Sequence, residues 1–367
     1  MTSRSQRFWR AARRLEAAHL PLRCLRGIVA PDLRSLITCA PALSLALEDA
    51  LMSYSKATDI AYVRFSAPDL GVMEAFLLDF GMARAARQDN ALYMKGIDGA
   101  PFAHATERGD PGFAGLAFEL ENNAALDSLA AATAKPVEDI SEPGGGRMVR
   151  LTDPDGFRVD AVVRPHTTPA KPRSRAALND GRSQPRLNAV SRVPGGPAQV
   201  VRLGHAVLMV KDYRASQQWY AQHFGLLISD EVEPEPGVAL AAFLRCDRGD
   251  IPVDHHTLSL AGVGASKYNH AAFEVVDFDS LMAGHSHLKS KSYRAEWGVG
   301  RHILGSQIFD YWQDPWGHTV EHWTDGDLMN AAYGSRKAPL SDLLAVQWGP
   351  NAPPSMSDDK SRSSTWV

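Results

Sequence analysis

The sequence predicts an α+β chain of tandem βαβββ units arranged in two domains, and three observations carry that expectation. First, DIAYVRFSAPDL parallels RLGHAVLMVKDY, GFAGLAFEL parallels KYNHAAFEV, and LTDPDGFRVDAV parallels WQDPWGHTVEHW, in the same order along the chain. Self-similarity of this kind marks an internal repeat. Second, the stretch between the two copies, with segments such as KPRSRAALNDGRSQPR, is rich in Pro, Arg, Ser and Ala and has no apolar period, which is the composition of a linker. Third, each copy holds alternating strand patterns interrupted by amphipathic helix patterns.

Residues 1–56 form an extension in which Arg4, Arg7, Arg10, Arg13, Arg14, Arg23 and Arg26 have few acidic neighbours, followed by an Ala/Leu-rich stretch up to Met52. Such a leader reads as a targeting segment or an inert extension. Residues 57–163 are the first repeat module, 164–198 the linker and 199–328 the second module. In the second module LGHAVLMV reads as a strand and DYRASQQWYAQHF as a helix with Asp212 as N-cap. LISDEVE, VALAAFLRC and HTLSLAG read as three further strands. The unit recurs as the strand YNHAAFEV, the helix FDSLMAGHSHLKS and strands near YRAEW, SQIFDYW and HTVEHW. Residues 329–367, ending in APPSMSDDKSRSSTWV, have the composition of a flexible tail.

A chain of 367 residues with 44% hydrophobic and 22% charged residues is long enough for two globular domains. Its formal charge of −3 gives no electrostatic case for binding nucleic acid or an anionic membrane. No apolar run approaches the roughly 20 residues that span a bilayer. Cys24, Cys39 and Cys246 have no CxxC spacing, so neither a disulfide framework nor a thiolate zinc site is expected. A reducing, cytoplasmic compartment follows, or a mitochondrial one if the Arg-rich leader is a transit peptide.

His205 lies in the first strand of one βαβββ unit, His270 in the first strand of the next, and Glu321 in its last strand. A carboxylate in an apolar closing strand must be solvated, paired or bound to a metal. Two imidazoles and one carboxylate that leave other positions open are the ligand set of nonheme Fe(II) oxygenases, and Mn(II) also occupies such sites. Taken singly, each residue reads as a bonded core histidine or a solvated glutamate; the equivalent placement in repeat units favours the metal. The first copy sets Tyr62 opposite His205, Gly115 opposite His270 and Asp160 opposite Glu321, and is therefore expected to be metal-free. In DHHTLSL, strand alternation allows only one of His255 and His256 to face a cavity. Parity groups His255 with Thr257 and Ser259.

Gly300, His302, Tyr311, Asp314, Pro315, Gly317 and Glu321 follow the form G-x-H, apolar-Tyr, D-P-x-G and closing Glu. This chain resembles the type I extradiol ring-cleavage dioxygenases of the vicinal oxygen chelate superfamily, the family of catechol 2,3-dioxygenase and 2,3-dihydroxybiphenyl 1,2-dioxygenase. Asp310 departs from the pattern, which has an apolar residue before the Tyr. The resemblance implies the glyoxalase/bleomycin resistance/extradiol dioxygenase fold, with Fe(II), or Mn(II), held by His205, His270 and Glu321. It also implies a catechol-type diol and O2 as reactants in aromatic catabolism, ring opening beside the diol, and a homo-oligomer. It selects His256 over His255 as the acid/base residue, because the family's catalytic His precedes a polar residue and a short apolar strand; His255→Phe is then expected to be nearly silent. His302 and Tyr311 would hydrogen-bond to substrate oxygens. Trp297, Phe309 and Trp312 are wall or core. The alternatives on this scaffold are a glyoxalase-like metal-dependent isomerase or thiol transferase, and a metal-free binding protein.

Overall fold

The computed structural model describes residues 53–170 and 177–356. The first repeat runs β1 (Ala57–Ala67), α1 (Leu70–Phe80), β2 (Ala83–Arg87), β3 (Ala91–Lys95), β4 (His104–Arg108), β5 (Gly112–Leu120), α2 (Asn123–Thr133), β6 (Val137–Asp139), β7 (Arg147–Thr152) and β8 (Arg158–Val163). The second opens with β9 (Val200–Val210), α3 (Tyr213–Phe224), β10 (Leu227–Glu233), β11 (Ala241–Arg245), β12 (Val253–Asp254) and β13 (Leu258–Gly262). It continues with β14 (Lys267–Val275), α4 (Phe278–Ser290), β15 (Ala295–His302), β16 (Ile308–Gln313), β17 (Thr319–Thr324), β18 (Leu328–Met329), β19 (Arg336–Pro339) and β20 (Val346–Trp348). The order within each repeat is β, α and then further strands, twice over.

Each helix starts where the sequence offers a short acceptor side chain. Asp69, Asn122, Asp212 and Asp277 sit in extended conformation and take the first free backbone N–H groups of their helices. The two D-P-x-G turns share one mechanism. Asp153 Oδ1 accepts from the backbone of Asp155 and Phe157, and Asp314 Oδ1 from that of Trp316 and His318. Gly156 and Gly317 then take φ of +92° and +89°, a region that suits glycine.

The strands form an eight-stranded sheet, β2-β3-β4-β1-β5-β8-β7-β6, and a ten-stranded sheet, β19-β10-β11-β13-β9-β14-β17-β16-β15-β20. At each centre the first strands of two units run antiparallel, β1 with β5 and β9 with β14. The last strand of every unit returns parallel to its own first strand. The helices and buried sheet faces share one apolar cluster that includes Phe76, Phe80, Phe118, Tyr220, Phe224 and Phe273. Two polar side chains packed with it reach partners: Tyr220 donates to Asp153 Oδ2 at 2.9 Å, and His322 Nε2 to the Phe80 carbonyl at 2.7 Å.

Residues 329–356 correct the expectation of a flexible tail. β19 runs parallel to β10 and β20 antiparallel to β15, closing both edges of the larger sheet. Composition hid these strands because an edge strand is short and tolerates Pro, and Pro339 ends β19. Residues 1–52 and 357–367, and with them most of the leader, lie outside the described residues. Tyr54 and Ser55, placed in the leader by sequence, bond to the Gln222 and His223 carbonyls of α3. Among the described residues of 164–198 there is no helix, and no strand forms before β9. No helix among the described residues is long and apolar enough to cross a membrane.

Candidate metal centre

The register of the larger sheet explains why three distant residues meet. Across β9, β14 and β17, His205 stands opposite Ala272 and Ala272 opposite Glu321. The row continues to Tyr311 on β16 and Trp297 on β15. Opposed residues share a face, and His270, two residues before Ala272, returns to it. Ala272 between His205 and Glu321 leaves space that a longer side chain would fill.

His205 Nε2 and His270 Nε2 lie 3.4 and 3.2 Å from Glu321 Oε2. Neither contact has hydrogen-bond alignment, so His270 Nε2 and both Glu321 oxygens are buried without a hydrogen-bond partner. The three ligand atoms lie within 4.8 Å of one another. Atoms about 2.1 Å from one metal ion and cis to each other stand about 3 Å apart. The donor set therefore fits a divalent cation better than it fits mutual hydrogen bonding. Burial opposes ionisation of Glu321, but the two imidazoles outweigh it and hold the carboxyl well below its usual range. Burial pushes the His205 imidazole down against the pull of Glu321, favouring the neutral form that a metal requires.

A β-bulge adds a feature that periodicity does not reveal. The ladder between β9 and β14 passes from Tyr268↔Leu208 to His270↔Val207 and skips Asn269. Bulges re-aim side chains, and here Asn269 and His270 both line the cavity. Asn269 Oδ1 lies 2.6 Å from His270 Nδ1, which leaves Nε2 as the outward donor nitrogen.

The cavity beside this triad also takes in His256, His302 and Tyr311, so all six residues singled out from sequence line it or form its floor. His302 Nε2 and Tyr311 Oη are 2.9 Å apart. Burial pushes His302 down to about 4 and raises the Tyr311 phenol. Of the three aromatic residues in question, Trp297 lines the cavity, Phe309 stacks behind His302 at 4.1 Å, and Trp312 belongs to the main core. Asp310 alternates away from the cavity on β16 and is met by His285 Nδ1 at 3.0 Å and Trp312 Nε1 at 2.6 Å. Its departure from the family pattern therefore leaves the cavity untouched.

His256 lines the cavity, its ring 4.0 Å from that of His205. Burial first, and then His205, His255, His270 and His302, hold it well below the usual imidazole range. His255 is buried, and both of its ring nitrogens have partners. It is 1% exposed, with Nε2 2.7 Å from Asp230 Oδ2 and Nδ1 3.1 Å from His256 Nδ1. Strand parity fails because both histidines precede β13, where alternation does not yet apply, and the cavity takes His256 together with Ser259. Residues of the C-terminal segment, Leu343, Leu344 and Met356, complete the wall.

The first repeat holds the same register with other chemistry. Tyr62, Ala117 and Asp160 stand in one row, and Arg64 pairs with Gly115, which lies against Arg158. A Cβ on Gly115 would lie 2.5 Å from the Arg158 carbonyl oxygen, so no histidine fits there. Asp160, fully buried, is neutralised instead by Arg158 Nη2 at 2.8 Å and bonded by Tyr62 Oη at 2.9 Å.

A model of the Glyoxalase/Bleomycin resistance protein/Dioxygenase superfamily matches residues 202–322, the span that holds all six candidate site residues. Metapyrocatechase 2 of Cupriavidus necator is 32% identical over 301 residues, covering 80% of this chain and 89% of that relative. Among solved structures, the Mn(II)-bound glyoxalase from Novosphingobium aromaticivorans aligns with a TM-score of 0.68 at 21% identity, covering 82% of this chain and 94% of that one. An extradiol ring-cleaving dioxygenase from B. fuscum aligns with a TM-score of 0.68 at 19% identity, covering 83% and 82%. At these identities the structural likeness concerns the fold.

Proposed function

The chain belongs to the Glyoxalase/Bleomycin resistance protein/Dioxygenase superfamily as an extradiol ring-cleavage dioxygenase, and from that premise we propose that His205, His270 and Glu321 hold Fe(II) for cleavage of a catechol by O2. The observation that carries this reading is the convergence of the His205, His270 and Glu321 ligand atoms on one point, with His270 Nε2 and both Glu321 oxygens left unpartnered, beside a cavity walled by His256, His302 and Tyr311. Fe(II), when bound, supplies electron exchange between the diol and O2. The chain's own residues bind, orient and move protons.

His256 is the general base and acid. Burial keeps it neutral, so it can take a proton from a diol hydroxyl and return it as the ring opens. Tyr311 and His302, coupled at 2.9 Å, present donors to charge that develops on substrate oxygens. The rest of the lining is mostly apolar, with Val207, Phe243, Trp297, Leu304, Leu343 and Met356 beside the polar Ser259 and Gln307, and no lysine or arginine among the described residues lines the cavity. A carboxylate on the ring would be buried there without a counter-ion, which costs several kcal/mol. The substrate is therefore a catechol whose substituent is uncharged, alkyl or aryl.

The test is anaerobic Fe(II) reconstitution of the full chain, followed by O2 uptake and visible absorbance with alkyl- and carboxyl-substituted catechols. Yellow ring-cleavage products with stoichiometric O2 uptake, and a preference for the alkyl series, are expected. Turnover of a hemithioacetal without O2 uptake would sink the assignment and promote the isomerase. Equal loading and turnover with Mn(II) would remove the preference for iron.

A further inference from the structure

We infer that Asp230 and His255 are positioning residues that fix the tautomer of His256; the inference rests on the base assigned above. The three side chains form one buried line, 7%, 1% and 4% exposed. Asp230 Oδ2 is 2.7 Å from His255 Nε2, and His255 Nδ1 is 3.1 Å from His256 Nδ1.

The order of protons along this line follows from what each group can donate. An ionised carboxylate only accepts, and a neutral imidazole has one N–H and one lone pair. His255 therefore gives its Nε2–H to Asp230 and keeps a lone pair on Nδ1. The 3.1 Å contact then needs the proton on His256 Nδ1. That leaves the lone pair on His256 Nε2, which makes no hydrogen bond with the described residues while the ring lines the cavity. A base in that tautomer is ready to accept a diol proton; the opposite tautomer is not.

The relay is held from several sides. The His255 N–H donates to the Asp327 carbonyl at 3.0 Å, and its own carbonyl accepts from Ser229 Oγ at 2.6 Å. Arg245 Nη1 in turn donates to Ser229 Oγ at 3.0 Å. Gly305, at φ +80°, backs onto the ring, and a Cβ there would lie 2.9 Å from His255 Nδ1. The imidazole has no slack in which to turn over. Once His256 takes a proton, its Nδ1–H still points at His255, and the Asp230 charge stabilises the cation through that ring.

His255→Phe and His255→Asn on the full chain test this. Phe removes the acceptor, whereas the Asn side-chain oxygen can stand near the place of Nδ1 and accept from His256. Two readouts are taken: kcat, KM and iron content of the loaded enzyme, and the 15N shifts of the His256 ring in the metal-free protein. For His255→Phe we expect unchanged iron and KM, a kcat about 10- to 100-fold lower, and 15N shifts that move from the Nδ1–H toward the Nε2–H form. His255→Asn should recover most of both. Wild-type kcat and 15N shifts in His255→Phe would overturn the inference, as would equal slowing of both variants with the tautomer unchanged, which is the mark of packing alone. If His255→Phe does not fold, Asp230→Ala takes its place, since it frees His255 to adopt either tautomer; a wild-type His256 15N pattern there overturns the inference. If the wild-type enzyme consumes no O2 with any catechol, the function proposed above fails, while the 15N measurement still decides the tautomer.

Discussion

Asn269 occupies the one position of β14 that the β9–β14 ladder skips, and its Oδ1 meets His270 Nδ1 at 2.6 Å. A partner on the outer nitrogen of a ligating histidine fixes which nitrogen faces the metal, and losing such a partner lowers affinity about 10- to 100-fold. Asn269→Ala should show that loss in an Fe(II) titration while the fold is retained; undiminished affinity would leave Asn269 without this role. His256→Phe should behave in the opposite way, keeping its metal but losing about 10²- to 10⁴-fold in rate, as judged by iron content and single-turnover O2 uptake. A variant that lost iron in step with rate would place His256 among the ligands. The six residues that meet at the cavity were singled out in the sequence by separate signals: repeat equivalence points at His205, His270 and Glu321, the D-P-x-G motif and its flanks at His302, Tyr311 and Glu321, and the resemblance to the extradiol dioxygenases at His256. Asn269 and His255 were not. A bulge and an irregular entry into a strand both break the period of two on which sequence reading relies, and Asp230 in LISDEVE looks like an ordinary surface acid until the chain is folded.

Strand β16 shows what alternation does with a charged residue next to a functional one. Tyr311 faces the cavity, and Asp310 turns beneath α4, fully buried, to His285 and Trp312. Burial raises the Asp310 carboxyl despite the help of His285, and the bond to Asp310 raises His285. Both shifts act in one direction on stability. The raised His285 stabilises the fold fully below the ordinary imidazole value, and that contribution is lost as pH rises through the raised value. Asp310, raised above its unfolded value, likewise favours the folded state less as pH rises through the carboxylate range. Buried imidazoles held low, such as His256, His302 and His322, act the other way in the metal-free protein, so the pair is read as a difference: the urea midpoint of the wild type minus that of His285→Gln should fall between about pH 6 and about pH 8. An unchanged difference would show that the pair does not couple protonation to folding. The same element scale explains why β19 and β20 escaped sequence reading. They are short edge strands whose pairing is decided by the open edges of the sheet they meet rather than by a period of their own.

Over the whole molecule, one register serves two solutions to a buried carboxylate. Glu321 faces two imidazoles with its oxygens unpartnered, whereas Asp160 faces guanidinium groups and a phenol. The repeat was readable in advance because both halves keep the same strand patterns and the same turn. The guanidinium solution was not, since Arg64 and Arg158 read as exposed strand residues until Gly115 is seen to admit the Arg158 backbone. A divalent ion needs two unprotonated imidazoles, and the first half has a tyrosine and a glycine at those places. The chain should therefore bind one equivalent of iron. Asp160→Ala separates the two solutions. It removes the buried anion that Arg158 faces and that lies 3.6 Å from Arg64 Nε, while Arg64 keeps Glu142 and Glu107 as partners, and losing the bonds to Asp160 in this way costs about 1–3 kcal/mol. The urea midpoint should drop accordingly while iron stoichiometry stays at one and the remaining folded enzyme keeps its kcat. Glu321→Gln should give the reverse in metal content, with iron lost. Two tightly held equivalents in the wild type, or loss of iron in Asp160→Ala at temperatures where the protein remains folded, would mean that the first half takes part in metal binding after all.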